Sequence, residues 1–321
     1  MTASAGAEVA IAVVSWNTAE LLRRCLASMR PEIEAGRAEV WVVDNASEDG
    51  SADLVEREFP EVKLIRSRQN IGFGAAVNLV AERTTNAWIA PSNADVELSP
   101  GALKRLLAAG AEEPAAGILA PRLIGPDGKA QHSVHAFPGI LLSIAVGFGL
   151  WRLVPGLDQR LALTGRWDPG IGRDVDWAHG AFLLVRREAF EQGGGFNDEQ
   201  WMYAEDIDLA WRLAGAGWHC HYESDSRVGH ELSAATRQAF GDGRLRRQFR
   251  ASFAWLVLRR GLAYAWAFAA INLASCGQRW AFYALLSPIS SRYRTRRHHW
   301  AEMTSIMRDG LRSRKALLAL R

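Results

Sequence analysis

The chain has 321 residues, of which 49% are hydrophobic, and its 38 Lys and Arg against 35 Asp and Glu leave a formal net charge of +3. That balance excludes a disordered chain, and the length admits one large α/β domain or a domain with an appendage. The 3 cysteines, Cys25, Cys220 and Cys276, are scattered without CxxC spacing, which excludes a disulfide framework and a cysteine zinc site and predicts a reducing compartment.

Met1–Gly6 lacks a basic stretch ahead of an apolar run, so no signal peptide is read and a cytoplasmic location is expected. The β-branched run Val9–Ser15 predicts a buried strand. Asn17 with Glu20 forms a capping-box pattern for a helix through Met29, stopped by Pro31. Glu39–Val43 predicts a second strand, Ala52–Glu58 a helix, Val62–Arg66 a third strand and Gly74–Arg83 the next helix. Ala87–Ala90 is a fourth strand, and Ser99-Pro100 opens a helix to about Ala109. Strands alternating with helices at this spacing predict a mostly parallel sheet with helices on both faces.

The pattern changes beyond residue 110. Gly117–Pro121 reads as a strand and Pro126-Asp127-Gly128 as a turn. Phe137–Gly165 is apolar but irregular and is read as a mobile loop or lid. Val175–Val185 predicts a strand, Ala204–Ala214 a helix and Trp218–Tyr222 a strand. From Arg244 onward basic residues outnumber acidic ones, and Phe249–Leu286 is rich in Trp, Phe, Leu and Ala. Gly261–Cys276 carries no charge but falls short of the ~20 residues a spanning helix needs. It reads either as a core helix or as an amphipathic helix at a membrane interface, its flanking arginines matching anionic lipid.

Several residues stand where α/β proteins bind ligands, just past the carboxyl ends of strands. Asp44 follows Val40–Val43; its carboxylate suits the imide N–H of uracil or thymine, and equally a turn that caps the next helix. Asn93-Ala94-Asp95 is a weaker form of a DXD metal pattern. There Asp95 would hold Mg²⁺ or Mn²⁺ against a departing diphosphate, and His230 would complete the metal's sphere. Gly72 and Gly74 allow close backbone approach ahead of a helix N-terminus. Glu205-Asp206 opens a helix; Asp206 is the candidate base for an acceptor hydroxyl, or the pair simply complements the helix dipole.

In order, Val13–Asn17, Val42–Ser51, Arg68–Gly74, Ser92–Asp95, His179–Arg187, Gly195–Asn197 and Tyr203–Leu209 resemble glycosyltransferase family 2, the inverting enzymes of GT-A fold. The resemblance covers residues 9 to about 232. The Ser15-Trp16-Asn17 opening and the Asn70–Gly74 block look most like bacterial rhamnosyltransferases, which build cell-wall linkers and O-antigen-type glycans. The resemblance implies a GT-A domain over 1–235, with a nucleotide-binding half at about 9–110 and an acceptor half at about 111–235. A basic, aromatic helical tail follows over 236–321.

It further implies Asp44 on the nucleobase, with Ser15, Asn17, Asn45, Asn70, Gly72, Asn78, Asn93 and Asp95 around the nucleotide sugar. Asp95 and His230 would hold the divalent metal. Asp206, with Glu205 beside it, would act as base; His179, Gly180 and Ala181 would lie near donor sugar or acceptor, and Trp201 would stack on a sugar ring. Asn93 departs from the pattern, since many relatives carry an acid there.

The expected activity is inverting transfer of L-rhamnose from dTDP-rhamnose to a glycan or polyprenyl-diphosphate-linked sugar, at the inner face of the cell membrane. A sister enzyme using a UDP-sugar such as UDP-galactofuranose would share these residues, and a non-catalytic glycan-binding partner of the same fold is the reading from another class. The basic tail is accompanied by no nucleic-acid recognition motif, so no nucleic-acid partner is expected.

Overall fold

The computed structural model describes residues 7–198, 203–231 and 244–312. They fall into two compact units, Met1–His135 with Thr164–Gly241, and Ala136–Leu163 with Asp242–Arg321. The division expected from sequence kept 136–163 in the first part; in the structure this segment clusters with the C-terminal helices.

The first unit begins with β1 (Val9–Ser15), α1 (Ala19–Glu34), β2 (Ala38–Asp44), α2 (Ser51–Glu58), β3 (Lys63–Arg66), α3 (Phe73–Ala81) and β4 (Trp88–Asn93). Strands β3, β2, β1 and β4 lie side by side and parallel. Residues 9–13 of β1 are all fully buried, the mark of a strand covered on both faces. Val9, Ile11 and Val13 join the main core with Leu22, Cys25, Leu26 and Met29 of α1.

Two expectations at α1 give way. Its N-cap position is Thr18, and Asn17 is instead left-handed (φ 53°), its Oδ1 accepting from Glu48 N (2.8 Å). The helix end is capped across the loop by Asp49, whose Oδ2 accepts from Ala19 N (2.8 Å). Pro31 lies inside the helix, which runs on to Glu34; a proline removes one N–H donor without ending a helix whose buried face continues.

The chain proceeds through β5 (Val96–Leu98), α4 (Ala102–Glu112), β6 (Ala116–Ile124) and the short β7 (Val134–His135). α4 lies close on the sheet: a Cβ at Gly110 would stand 2.6 Å from the Trp88 ring. On the same ring rests the Arg186 guanidinium, 4.4 Å from its centroid.

Phe137–Gly165, read as a mobile loop or lid, instead contains α5 (Ile140–Gly147), a 3-10 turn (Leu150–Leu153) and α6 (Leu157–Arg160). Its apolar residues lack a clean period because α5 meets a second helix through small and polar groups, described below.

Beyond it, the single strand expected over 175–185 is broken into β8 (Arg173–Val175), β9 (Trp177–Ala178) and β10 (Leu184–Arg186), which α7 (Arg187–Gln192) follows. α8 (Glu205–Gly215) and β11 (His219–His230) complete the unit. Among the described residues the sheet has nine strands in the order β3-β2-β1-β4-β10-β6-β11-β5, with β8 beside β11. β10 runs antiparallel to both β4 and β6, and β11 runs parallel to β6.

The second unit joins α5 to α9 (Arg244–Arg260), α10 (Leu262–Leu286) and α11 (Ser291–Arg312). α5 and α10 approach so closely that a Cβ at Gly147 would be 2.9 Å from Ser275 Oγ. Asn272 Nδ2 donates to Ser143 Oγ (3.0 Å) and Arg279 Nη2 to the Val146 carbonyl (2.9 Å). α10 meets α11 through Arg279 over the Trp300 ring and Arg296 on the Tyr283 hydroxyl. Leu141, Leu153, Leu285 and Ile289 are each more than two-thirds exposed (82%, 77%, 81% and 72%), an unusual cost for a water-facing surface. Among the described residues no helix is long and apolar enough to cross a membrane.

Candidate active site

Strand directions gather the expected residues at one edge of the sheet. Because β10 is antiparallel to β4 and β6, those two share a direction, and β11 shares it with β6. The carboxyl ends of β1, β2, β4 and β11 therefore point the same way, and the chain enters β10 from that edge. Ser15, Asp44, Asn93 and His230 end those four strands, and Gly180-Ala181 precedes β10. Such an edge is where open α/β sheets bind ligands.

At the β1–β2 end a hydrogen-bonded cluster forms. Asn45 N donates to the Ser15 carbonyl (2.8 Å), and the buried Ser15 hydroxyl pairs with that of Thr18 (3.0 Å). Asn17 N donates to Ser47 Oγ (2.9 Å), and Asp44 Oδ2 accepts from Ser47 N (3.1 Å). Asn45 Nδ2 reaches the Gly72 carbonyl (3.2 Å), while Asn70 Oδ1 accepts from Gly72 N (3.0 Å), tying in the loop before α3. Gly72 is at φ 86°, a conformation only glycine adopts freely. Asp44 is 4% exposed, and its Oδ1 is buried with no hydrogen-bond partner among the described residues. A buried acceptor left so costs about 1–3 kcal/mol, which a ligand N–H would recover.

The β4 end carries the second cluster. Asn93 N donates to the Ala181 carbonyl (2.8 Å), setting Gly180-Ala181 beside the turn that bears Asp95. Across the β5–β11 pair, Glu231 N donates to the Asp95 carbonyl (3.0 Å) and His230 lies opposite Val96. This brings His230 Nε2 within 3.5 Å of Asp95 Oδ1, both side chains buried. Burial pushes the His230 imidazole down to about 4, so it is neutral at physiological pH. Its Nδ1 is 2.8 Å from Gln131 Oε1. A neutral imidazole and a carboxylate suit Mn²⁺ better than Mg²⁺ as one nitrogen and one oxygen ligand, leaving positions for phosphate oxygens. Among the described residues no third His, Cys, Asp or Glu completes a metal cage.

The acid pair joins this cluster through Gly180, whose N–H donates to Asp206 Oδ2 (3.0 Å), while Ile207 N donates to Oδ1 (2.8 Å). A Cβ at Gly180 would already touch Asp206 Cβ at 3.5 Å. Burial raises the Asp206 carboxyl above the usual range; burial and then the Asp206 charge raise Glu205 further. Two adjacent buried carboxyls cannot both ionise cheaply, so they titrate as a pair, with Glu205 the protonated partner at neutral pH. The turn leading into α8 is strained: Tyr203 (φ 64°) and Ala204 (φ 67°) are both left-handed, at roughly 1–2 kcal/mol each. The fully buried Asp208 anchors that first turn. Its Oδ2 accepts from Arg212 Nε (2.8 Å), and Arg212 also donates to the carbonyls of Gly193 and Gly195.

Not every expected residue lies in these clusters. Asn78 is committed elsewhere: its amide donates to the Phe196 carbonyl (2.9 Å) and Asp198 Oδ1 (2.8 Å), and accepts from Phe196 N (2.9 Å). Through these bonds it pins the segment Phe196–Asp198. His179, expected near sugar or acceptor, directly precedes Gly180 of the second cluster; its Nε2 is 3.0 Å from His135 Nε2, and burial, then the nearby His230, lower it to about 4. Trp201 lies outside the described residues. Gln131, His135 and Asp208 were missed; Asp208 stands within the Tyr203–Leu209 motif but was given no role, while Gln131 and His135 sit in no motif and only the fold brings them there.

A mixed sheet of this order, with its polar residues gathered where the parallel strands end, defines a GT-A fold. The same fold is seen in the mannosyltransferase PcManGT from Pyrobaculum calidifontis in complex with GDP-Man and Mn²⁺. That structure has a TM-score of 0.61 and 18% identity, covering 95% of this chain and 87% of that one. GalNAc-T7 with UDP, GalNAc and Mn²⁺ is also similar, with a TM-score of 0.54 and 14% identity over 77% of this chain and 48% of that one.

In sequence, residues 10–194 match the profile of glycosyl transferase family 2. An N-acetylglucosaminyl-diphospho-decaprenol L-rhamnosyltransferase of Mycobacterium tuberculosis is 33% identical over 239 residues, 70% of this chain and 76% of the relative. The rhamnosyltransferase WbbL of Escherichia coli is 36% identical over 89 residues, 28% of this chain and 33% of its own. The chain belongs to glycosyl transferase family 2. It is a nucleotide-sugar-dependent glycosyltransferase.

Proposed function

We propose that this enzyme moves L-rhamnose from dTDP-rhamnose, with inversion, onto a hydroxyl of a polyprenyl-diphosphate-linked sugar in bacterial cell-wall or surface-polysaccharide synthesis. The observation that carries the reading is the linked geometry of Asp206, Gly180-Ala181, Asn93 and the Asp95–His230 pair. The donor and acceptor are supported by the name of the Mycobacterium tuberculosis relative.

Asp44 Oδ1 accepts the imide N–H of the nucleobase, and Asn17, Asn45, Asn70 and Gly72 shape the surrounding loop. Asp95 and His230 would hold a divalent cation, which would neutralise the charge growing on the leaving diphosphate. Asp206, held by the N–H groups of Gly180 and Ile207, accepts the proton of the acceptor hydroxyl. The oxygen so freed attacks the anomeric carbon from the face opposite the diphosphate as the glycosidic C–O bond breaks. The electron pair leaves with the nucleotide diphosphate, and the proton stays on Asp206. Glu205, kept protonated beside it, lets Asp206 carry the single charge of the pair. The acceptor is bound by the half of the domain over about 111–235.

The arginine-flanked, aromatic helices α9 and α10 hold the enzyme peripherally at the inner membrane face, where lipid-linked acceptor resides. The exposed Trp266, Trp280, Phe282 and Leu285 support that contact.

The test is a donor panel: purified full-length chain with Mn²⁺, a polyprenyl-diphosphate N-acetylglucosamine acceptor, and dTDP- or UDP-linked sugars. Consumption of dTDP-rhamnose with a lipid-linked disaccharide product is expected. Turnover of a UDP-sugar alone would replace the donor assignment, since thymine and uracil offer Asp44 the same imide. Nucleotide binding without turnover of any donor would reject both the rhamnose donor and the N-acetylglucosamine acceptor.

A further inference from the structure

We infer that Gln131 is a positioning residue for the metal ligand His230, selecting the imidazole tautomer whose bare Nε2 faces Asp95. The inference rests on the proposed metal role of Asp95 and His230 and adds a residue to it.

Gln131 is delivered by a hairpin that extends β6. Gly125 N donates to the Lys129 carbonyl (2.8 Å), Gly128 N to that of Gly125 (2.9 Å), and Ile124 bridges Ala130. Gly128 takes φ 73°, the left-handed turn position that a Pro-Asp-Gly sequence provides. Gln131 N then donates to the Leu123 carbonyl (2.8 Å), so its backbone is fixed to β6, whose Ile124 pairs with Gly229 of β11. The side chain thereby reaches the end of β11 along a rigid path.

There the amide makes two contacts with one residue. Its Nε2 donates to the His230 carbonyl (2.8 Å), and its Oε1 lies 2.8 Å from His230 Nδ1. The first contact determines how the second must be read. A backbone carbonyl only accepts, so the amide nitrogen must face it, and flipping the amide would oppose two oxygens. The oxygen is therefore the atom toward Nδ1, and an amide oxygen only accepts. Nδ1 carries the proton. In the neutral ring this leaves Nε2 with its lone pair, 3.5 Å from Asp95 Oδ1. Two electron-pair donors at that distance can share one cation.

A histidine free to choose would put its proton on Nε2 and donate to Asp95. Gln131 opposes that choice, because losing Nδ1–H would set a bare nitrogen against the amide oxygen inside the protein. Groups that orient a ligating histidine through its other ring nitrogen are typically worth about 10–100-fold in metal affinity. Nothing in the local sequence announces the role; Gln131 follows an ordinary turn.

The experiment uses the full-length chain labelled with ¹⁵N-histidine, and reads the His230 tautomer by long-range ¹H–¹⁵N correlation at pH 7.5, assigned with His230→Gln. Mn²⁺ affinity is measured by calorimetry in the presence of dTDP for wild type, Gln131→Leu and Gln131→Glu. Wild-type His230 should be protonated at Nδ1 alone. Gln131→Leu should shift protons to Nε2 and weaken Mn²⁺ binding about 10–100-fold. Gln131→Glu keeps an acceptor against Nδ1 while setting its second oxygen against the His230 carbonyl, and should retain the Nδ1–H tautomer.

A wild-type Nε2–H signal, or Gln131→Leu binding Mn²⁺ as wild type does, would overturn the inference. If Gln131→Leu does not fold, the wild-type spectrum and the glutamate variant decide. Absence of Mn²⁺ binding in wild type would instead defeat the metal reading, while the tautomer signal would still judge Gln131.

Discussion

Replacing Asp206 by Asn separates chemistry from binding. The carboxylate sits between two N–H donors, Gly180 at 3.0 Å and Ile207 at 2.8 Å, and an asparagine can satisfy only one of them, its own NH₂ facing the other. More important, the amide cannot take a proton at neutral pH. Loss of a positioned base is worth about 10²–10⁴ in rate, or about 2.7–5.5 kcal/mol on the barrier. Radiolabelled sugar transfer should fall by that factor, while calorimetry should find nucleotide affinity within about threefold of wild type, because the proposed nucleobase contact is at Asp44.

The pH behaviour follows in sign. Burial raises the Asp206 carboxyl above the usual range, so wild-type kcat/KM should rise with pH as the Asp206–Glu205 pair loses its first proton and level off once that proton is gone. A group whose folded pKa is raised lends stability at low pH and loses it as pH climbs through the folded value. At pH 8 the native state therefore carries an unfavourable buried charge, and Asp206→Asn should melt no lower than wild type. An Asn variant that transfers sugar within tenfold of wild type would refute the assignment.

Further outcomes are expected elsewhere in the molecule. Asp44→Ala removes the buried Oδ1 acceptor and should weaken dTDP or UDP binding by about 1.5–3 kcal/mol, read by calorimetry, with kcat at saturating donor little changed. Gly110→Ala drives a methyl to 2.6 Å from the Trp88 ring. The overpacking, about 1–3 kcal/mol, outweighs a helix-propensity gain of up to about 1 kcal/mol, so thermal unfolding should occur lower with Mn²⁺ affinity intact. Phe282→Ser with Leu285→Ser removes two exposed apolar anchors and should reduce co-sedimentation with anionic vesicles at least about tenfold. Equal sedimentation would remove α10 from membrane contact.

The alternating first half was readable because its signals are local. β1 was predicted at its observed bounds, since a buried parallel strand writes itself as an unbroken apolar run. Asp44, Asn93-Asp95 and Glu205-Asp206 were legible because strand ends and helix starts place residues at an edge before any tertiary contact is known. What failed depended on distant partners. Asn17 looks like a cap, but Asp49 caps α1 from across the loop. Asn78 looks like a binding residue until Phe196 and Asp198, far along the chain, take up its amide. The apolar stretch around Ile140–Gly147 carries no helical period of its own, because its partner surface on α10 is small and polar. Gln131 is the plainest case, since its meaning depends wholly on a strand about a hundred residues later.

The antiparallel strand β10, three residues wedged between β4 and β6, has a consequence for biosynthesis. The parallel quartet β3-β2-β1-β4 can assemble once residue 93 has left the ribosome, yet β4 gains its second neighbour only when Leu184–Arg186 emerge. That interval of roughly ninety residues corresponds to about 5–20 s of translation. Throughout it, an apolar strand edge with free N–H and C=O groups is open to pairing with another nascent chain. Stalled chains ending before Leu184 should accordingly aggregate or recruit a chaperone, and those extended past Arg186 should resist proteolysis. Equal protease resistance at both lengths would mean that the quartet shields its own margin during synthesis.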